Sequence, residues 1–256
     1  MINWNEIESA EPTPALLAEV SAALRSADPE IRDGLAYEQL CRWVPRLAAP
    51  ELSALGDEMA GRLADPEIQA RTFAPLVLAE VVDAGAYRPA WRDAFARWYP
   101  AETDLRGWDE RLGWLHAVAH GADLLAAFGR SPLVADPASL LELAAARLLA
   151  PTGHVLDAME DDRLGRAVAV VLTRPELTER QALAWLDPIA ATGRRRPGVV
   201  PATVSNTLRT LRVVYLLADR GVRPVPGAEP VTLRHAAALR GRLAEVLAVN
   251  TSYYLG

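Results

Sequence analysis

The segment Ala27-Asp28-Pro29-Glu30-Ile31 returns 37 residues later as Ala64-Asp65-Pro66-Glu67-Ile68. Each copy is built to start a helix. Asp is a strong N-cap, Pro fits the first helical position, and Glu is favoured at the positive helix end. A hydrophobic run follows each time, Leu35 to Val44 and then Phe73 to Val82. A period of this length holds two helices, and such a hairpin buries its apolar face only by stacking on its neighbours. The repeat therefore predicts an all-α chain, an α-α superhelix of HEAT-like helical hairpins.

The remaining apolar periodicity places helices near 14–26, 29–47, 50–63, 66–84, 89–98, 112–129, 137–149, 160–173, 176–187, 203–219 and 231–248. Pro50, Pro66, Pro89, Pro132, Pro151 and Pro175 separate several of them, since proline ends or begins helices rather than continuing them. These helices pair into about five hairpins and a closing helix, one repeat domain over residues 1–256. No segment alternates with period two through β-branched residues, so no sheet is expected. The longest loops fall near 99–111, 150–159, 190–202 and 220–230, and loops of such length in a helical array are often functional.

Composition removes several function classes. The net charge is −6, which opposes a broad electrostatic grip on nucleic acid or an acidic membrane. All 27 cationic residues are arginine, excluding Schiff-base chemistry and a P-loop lysine. Cys41 is the one cysteine, so no internal disulfide forms and a reducing, cytoplasmic location is expected. Met1 to Glu6 lacks the basic-then-apolar pattern of a signal peptide, and the apolar stretches are too short to span a bilayer. There is no GxSxG, GxGxxG after a strand, P-loop, CxxC or EF-hand loop, and no cofactor is expected.

The most informative segment runs from Trp98 to Phe128. His116, His120 and Asp123 are spaced i, i+4, i+7, within about 60° of one another on a helix. Val118, Leu125, Phe128 and Trp114 fall on the opposite side. Such a stripe can contact a small molecule or peptide, bond to neighbouring helices, or hold a metal. The glutamate of HExxH is absent, however, and no metal set is complete. Glu80 is the sole charged residue from Thr72 to Val82. Buried there it needs a partner or a proton, and the expected partner is His116 or His120. The alternative is a cap on a backbone group freed by Pro75.

Arg106 lies in a loop of aromatics and acids, either as a binding residue or paired with Glu102 or Asp104. Asp161 belongs to Glu160-Asp161-Asp162-Arg163, acids suited to a helix start. Arg209, on a stripe with Asn206 and Thr210, can hold a carboxylate or sit on a solvated face. Arg194-Arg195-Arg196 forms a basic loop tip.

The stretches Asp28 to Tyr37, Leu78 to Val81, Leu105 to Trp108, His116 to Asp123 and Glu160 to Leu164 resemble an uncharacterised bacterial family, domain of unknown function 2785. The likeness extends over roughly residues 14–250 and is most specific at the histidine segment. It implies a bacterial cytoplasmic protein and a helical array, and no activity.

The site expectation follows from geometry. Tyr37, Glu80, His116, His120, Asp123, Asp161 and Arg209 all fall on the second helices of their hairpins and should converge on one concave groove. The first function expected is a binding protein for a small molecule, peptide or protein. The alternative is a metal-dependent or acid–base hydrolase using His116, His120 and Asp123.

Overall fold

A computed structural model describes residues 3–7, 9–193 and 198–251. The Arg194–Arg196 loop tip lies outside them. Both copies of the repeated segment begin alike. Asp28 Oδ1 accepts the Glu30 amide and Asp65 Oδ1 the Glu67 amide, each at 2.9 Å. The first copy leads into a π-helical stretch, Glu30–Tyr37, continuous with α3, Glu38–Trp43. Ahead of it lie α1, Trp4–Ile7, and α2, Pro14–Ala23, capped by Thr13. The second copy leads into α5, Ile68–Asp83, and between the two stands α4, Ala49–Arg62. The chain continues through α6, Pro89–Trp98; α7, Ala117–Arg130; α8, Ala138–Leu149; and α9, Glu160–Val171. It finishes with α10, Glu179–Ala184; α11, Asp187–Ala191; α12, Ala202–Arg220; and α13, Ala236–Thr251.

The all-α expectation is met, with one local exception. Helix was expected from residue 112, but Trp108–Asp109 pairs antiparallel with Gly113–Trp114. Asp109 Oδ1 accepts the amides of Arg111 and Leu112, both at 2.9 Å. A short carboxylate that captures backbone amides in this way competes directly with helix formation. Residues 176–187 also divide into α10 and α11, because Pro188 opens a new helix at its second position.

The packing order sets up the site. α5 lies against α7, α7 against α9, and α9 against α12, forming an inner row. α4 packs on α5 and α6, α8 on α9 and α12, and α13 on α12. The core follows these contacts, with Trp43, Trp91, Trp185 and Phe128 fully buried among leucine, valine and alanine. Each indole of this size buries far more apolar surface than a leucine. Among the described residues no helix is long and apolar enough to cross a membrane.

Candidate functional site

The register of α5 against α7 decides which polar residues meet. His120 Nδ1 lies 2.9 Å from the carbonyl oxygen of Thr72, 48 residues earlier, and Arg130 pairs with Asp83, 47 residues earlier. The two helices therefore run parallel in a fixed offset. Glu80 is level with the end of α7, two turns past His120, and the expected contact with either histidine is not made. It faces open space instead, half-buried. Burial and the neighbouring Asp83 raise its pKa, against the pull of Arg130.

That space is a groove of about 420 Å³ on the inner row. Tyr37, Glu80 and Asp123 line it, joined by Asp83, Arg130 and Arg166. Asp83 takes both Nε (3.1 Å) and Nη2 of Arg130. Asp123 is paired with Arg163 across the α7–α9 interface. Arg166 Nη2 donates to the carbonyls of Arg223 (3.2 Å) and Pro224 (2.8 Å), and Arg130 Nη1 to the latter at 3.1 Å. These bonds strap the 223–226 turn across one end of the groove. Burial and the adjacent Arg130 lower the Arg166 pKa. Cys41 lies beside Tyr37, and burial raises the thiol to about 11, which keeps it protonated and unreactive.

His116 and His120 stand apart from the groove, at the other end of α7. His116 occupies the N-cap with φ of 48°, in the left-handed region. That conformation is rare outside glycine and is held here by surrounding contacts. Its ring stacks on Trp114 at 4.4 Å, and Trp108 meets Trp114 edge-on at 4.7 Å. Nδ1 of His116 lies 3.4 Å from Oε1 of Glu160, a fully buried carboxylate. Burial pushes the Glu160 pKa up, but hydrogen bonds from His116 and the Ala158 amide more than offset this, leaving it lowered. Gly107 is pressed against the pair, since a Cβ there would lie 2.6 Å from Glu160 Oε1.

A file of rings connects the two regions. Tyr37 meets Phe73 at 6.3 Å, Phe73 meets His120 at 5.0 Å, and His120 meets His116 at 5.5 Å, each roughly edge to face. Arg32, wholly buried, places its guanidinium 4.6 Å over Phe73. It also donates to the carbonyls of Leu112 (2.6 Å) and Trp114 (3.2 Å).

Of the residues expected to converge, Tyr37, Glu80 and Asp123 share the groove, while His116 and His120 are joined to it only through the rings. Asp161 and Arg209 pair with each other at 2.6 Å between α9 and α12. Arg106 is bound at the surface to Asp104 and Asp109. Sequence reasoning did not single out Asp83, Arg130 and Arg166; the first two close α5 and α7, and Arg166 lies midway along α9. The same reasoning took Glu160 for a dipole acid only. Among the described residues no three of His, Cys, Asp and Glu come together as a metal site. A second cleft of about 70 Å³ is mostly apolar, lined by Leu149, Ile189, Leu211 and Val246 together with Thr203, Thr207 and Asn250.

Comparison with curated proteins and with solved structures gives no match. A family model described as "Protein of unknown function (DUF2785)" matches residues 59–216, which hold α5, α7, α9 and most of α12. The chain belongs to the DUF2785 family.

Proposed function

We propose that the chain is a binding protein whose inner groove takes a small molecule or a short peptide, working in the cytoplasm. One observation carries this reading: the groove of about 420 Å³ is walled by charges of both signs and by Tyr37. Ligand sites typically have a volume of ~300–1,000 Å³ and a few placed polar groups. Stacked helical hairpins of the HEAT-like type supply such concave surfaces. The test is a thermal-shift screen of metabolites and peptides, repeated on Tyr37→Phe and Asp123→Asn. At least one compound should stabilise the wild type and lose its effect in these variants. A screen without hits, or hits indifferent to both substitutions, overturns the groove as the binding site.

A second reading, an acid–base hydrolase without metal, is favoured by the His116–Glu160 pair. A buried carboxylate on Nδ1 orients an imidazole and leaves Nε2 to take a proton from water. Turnover of an activated ester that is lost in both His116→Gln and Glu160→Gln supports it. Equal turnover in wild type and variants removes it.

A further inference from the structure

Three arginines line the groove beside the 223–226 turn. Nη2 of Arg166 and Nη1 of Arg130 donate to one and the same oxygen, the Pro224 carbonyl, at 2.8 and 3.1 Å, so two like charges lie side by side. Arg166 Nη2 also reaches the carbonyl of Arg223 at 3.2 Å, which brings the backbone of the third arginine to the same place. The turn that carries Arg223 is stiff. Val222 and Val231 close its base with two backbone hydrogen bonds, at 2.9 and 2.8 Å. Pro224 and Pro226 fix φ within it.

The charge at this end is not neutralised. Asp83 is taken by Nε and Nη2 of Arg130. Arg166 is half-buried, pairs with no carboxylate among the described residues and uses only Nη2, which leaves Nε and Nη1 free to donate. Arg223 is exposed, and its side chain makes no hydrogen bond or ion pair among the described residues. Three arginines against one aspartate leave two positive charges in excess. Adjacent charges of one sign are costly where water is partly excluded, and a bound anion relieves that cost. A carboxylate brings one negative charge and two oxygens, which a single guanidinium fork satisfies. A phosphate monoester brings close to two charges and three acceptor oxygens, enough for two open guanidinium groups. Elsewhere the wall carries Glu80 and Asp123, so a second anionic group on the same ligand would be repelled.

We propose that the groove takes a small molecule bearing a single phosphate monoester, the phosphate held by Arg166 and Arg223 beside Arg130. This rests on the groove being the binding site and names its ligand class. The rest of the ligand is uncharged and lies along the groove.

The experiment is calorimetric titration of the full chain with glucose-6-phosphate, inorganic phosphate, glucuronate, glucose and fructose-1,6-bisphosphate. Glucose-6-phosphate should bind best, and glucose should not bind. Glucuronate, with a carboxylate in place of the phosphate, should bind about tenfold or more weaker, the loss of one charge-assisted contact. The bisphosphate should also bind less tightly. Arg223→Gln, which breaks no side-chain contact of the fold, should weaken glucose-6-phosphate by about tenfold. Arg212→Gln removes an exposed arginine of α12 outside the groove and should leave affinity within about twofold. Arg166→Gln should abolish binding; because Arg166 also anchors the turn, Arg223→Gln decides if the melting temperature of the Arg166 variant falls. Inorganic phosphate binding as tightly as glucose-6-phosphate assigns the arginines to the free ion and overturns the ester, and tighter binding of the bisphosphate overturns the single anion. Glucuronate binding as tightly, equal losses in Arg223→Gln and Arg212→Gln, or no binding of any phosphate at millimolar concentration overturns the phosphate site. Thermal-shift hits that remain sensitive to Tyr37→Phe and Asp123→Asn would then keep the groove as a site for another ligand class.

Discussion

His120 Nδ1 lies 2.9 Å from the carbonyl oxygen of Thr72, and this bond joins α7 to α5 one residue after Arg71, whose carbonyl loses its helical donor at Pro75. The ring is buried against Phe73 and is fixed as the tautomer that donates from Nδ1. Burial, reinforced by Arg163, lowers its pKa well below the ordinary value. A depressed folded-state pKa means that the unfolded chain binds the extra proton first. Stability from this group is complete above the unfolded value, ~6.5, and is lost as pH falls below it toward the folded value. Urea midpoints should therefore hold steady from pH 8 to 7 and decline from 6.5 to 5. His120→Asn, which can keep the donor, should flatten that decline at a cost of ~1–2 kcal/mol at pH 7.5. Equal declines in both proteins would show that another group controls this window.

Glu80 gives a dependence of the opposite sign. Burial and Asp83 raise its pKa, so the folded protein prefers the protonated acid. The unfavourable ionisation emerges as pH rises through the ordinary carboxylate range toward the raised value. Glu80→Gln should thus be more stable than wild type at pH 7, by less than ~1 kcal/mol after solvent screening. The advantage should shrink to nothing at pH 4. A Gln variant that is less stable at pH 7 would mean that the carboxylate has a stabilising partner. A group that costs stability where a neutral isostere would not is the kind retained for binding.

Two glycines should respond in opposite directions to alanine. Gly121 on α7 faces the ring of Tyr99, where an added Cβ would fall 2.1 Å from Cε2. That ring is fully buried, and its hydroxyl donates to the Val118 carbonyl at 2.8 Å, so it has no room to yield. Gly121→Ala should destabilise by ~1–3 kcal/mol, as overpacking does. Gly61 lies in α4 with nothing within 4 Å of its would-be Cβ. There alanine should stabilise by ~0.4–1 kcal/mol through the unfolded chain. Chemical denaturation of the two variants checks both signs.

The helices were legible because their starts are written in short-range chemistry: Asp28 and Asp65 before Pro29 and Pro66, and Pro89 opening α6. Tyr37, Glu80 and Asp123 could be assigned to one groove because helical period and hairpin order are sequence properties. The offset between α5 and α7 is not such a property. It arises from side-chain packing, including Phe73 against the His120 ring, and it placed Thr72 rather than Glu80 beside His120. Asp109 shows a second gap, for its capture of two amides overrode an apolar pattern that read as helix. Arg130 and Arg166 carried no local sign of which face they would occupy.

Arg32 supplies the most severe expected loss. It is fully buried, and its guanidinium donates to the carbonyls of Ser26, Leu112 and Trp114 while contacting Asp33 at 2.6 Å. These contacts span the first repeated segment and the Trp108–Trp114 hairpin. Lysine cannot reproduce them, because its ammonium is a single point donor without a planar fork. Arg32→Lys should leave buried carbonyls of the hairpin without their donor and the partly exposed Asp33 poorly matched, costing ~3 kcal/mol or more. The hairpin should also loosen locally before the chain unfolds. Trp114, at 44% exposure and stacked on His116, would then lose its fixed neighbour. Tryptophan fluorescence should therefore red-shift and hydrogen exchange should quicken at Leu115, whose amide bonds to the Gly107 carbonyl at 2.9 Å. Arg32→Met separates the charge from the shape: it should also release the hairpin, because the donors are what hold it. Native exchange at Leu115 in both variants would show that the hairpin is held by its own strand pairing and not by Arg32.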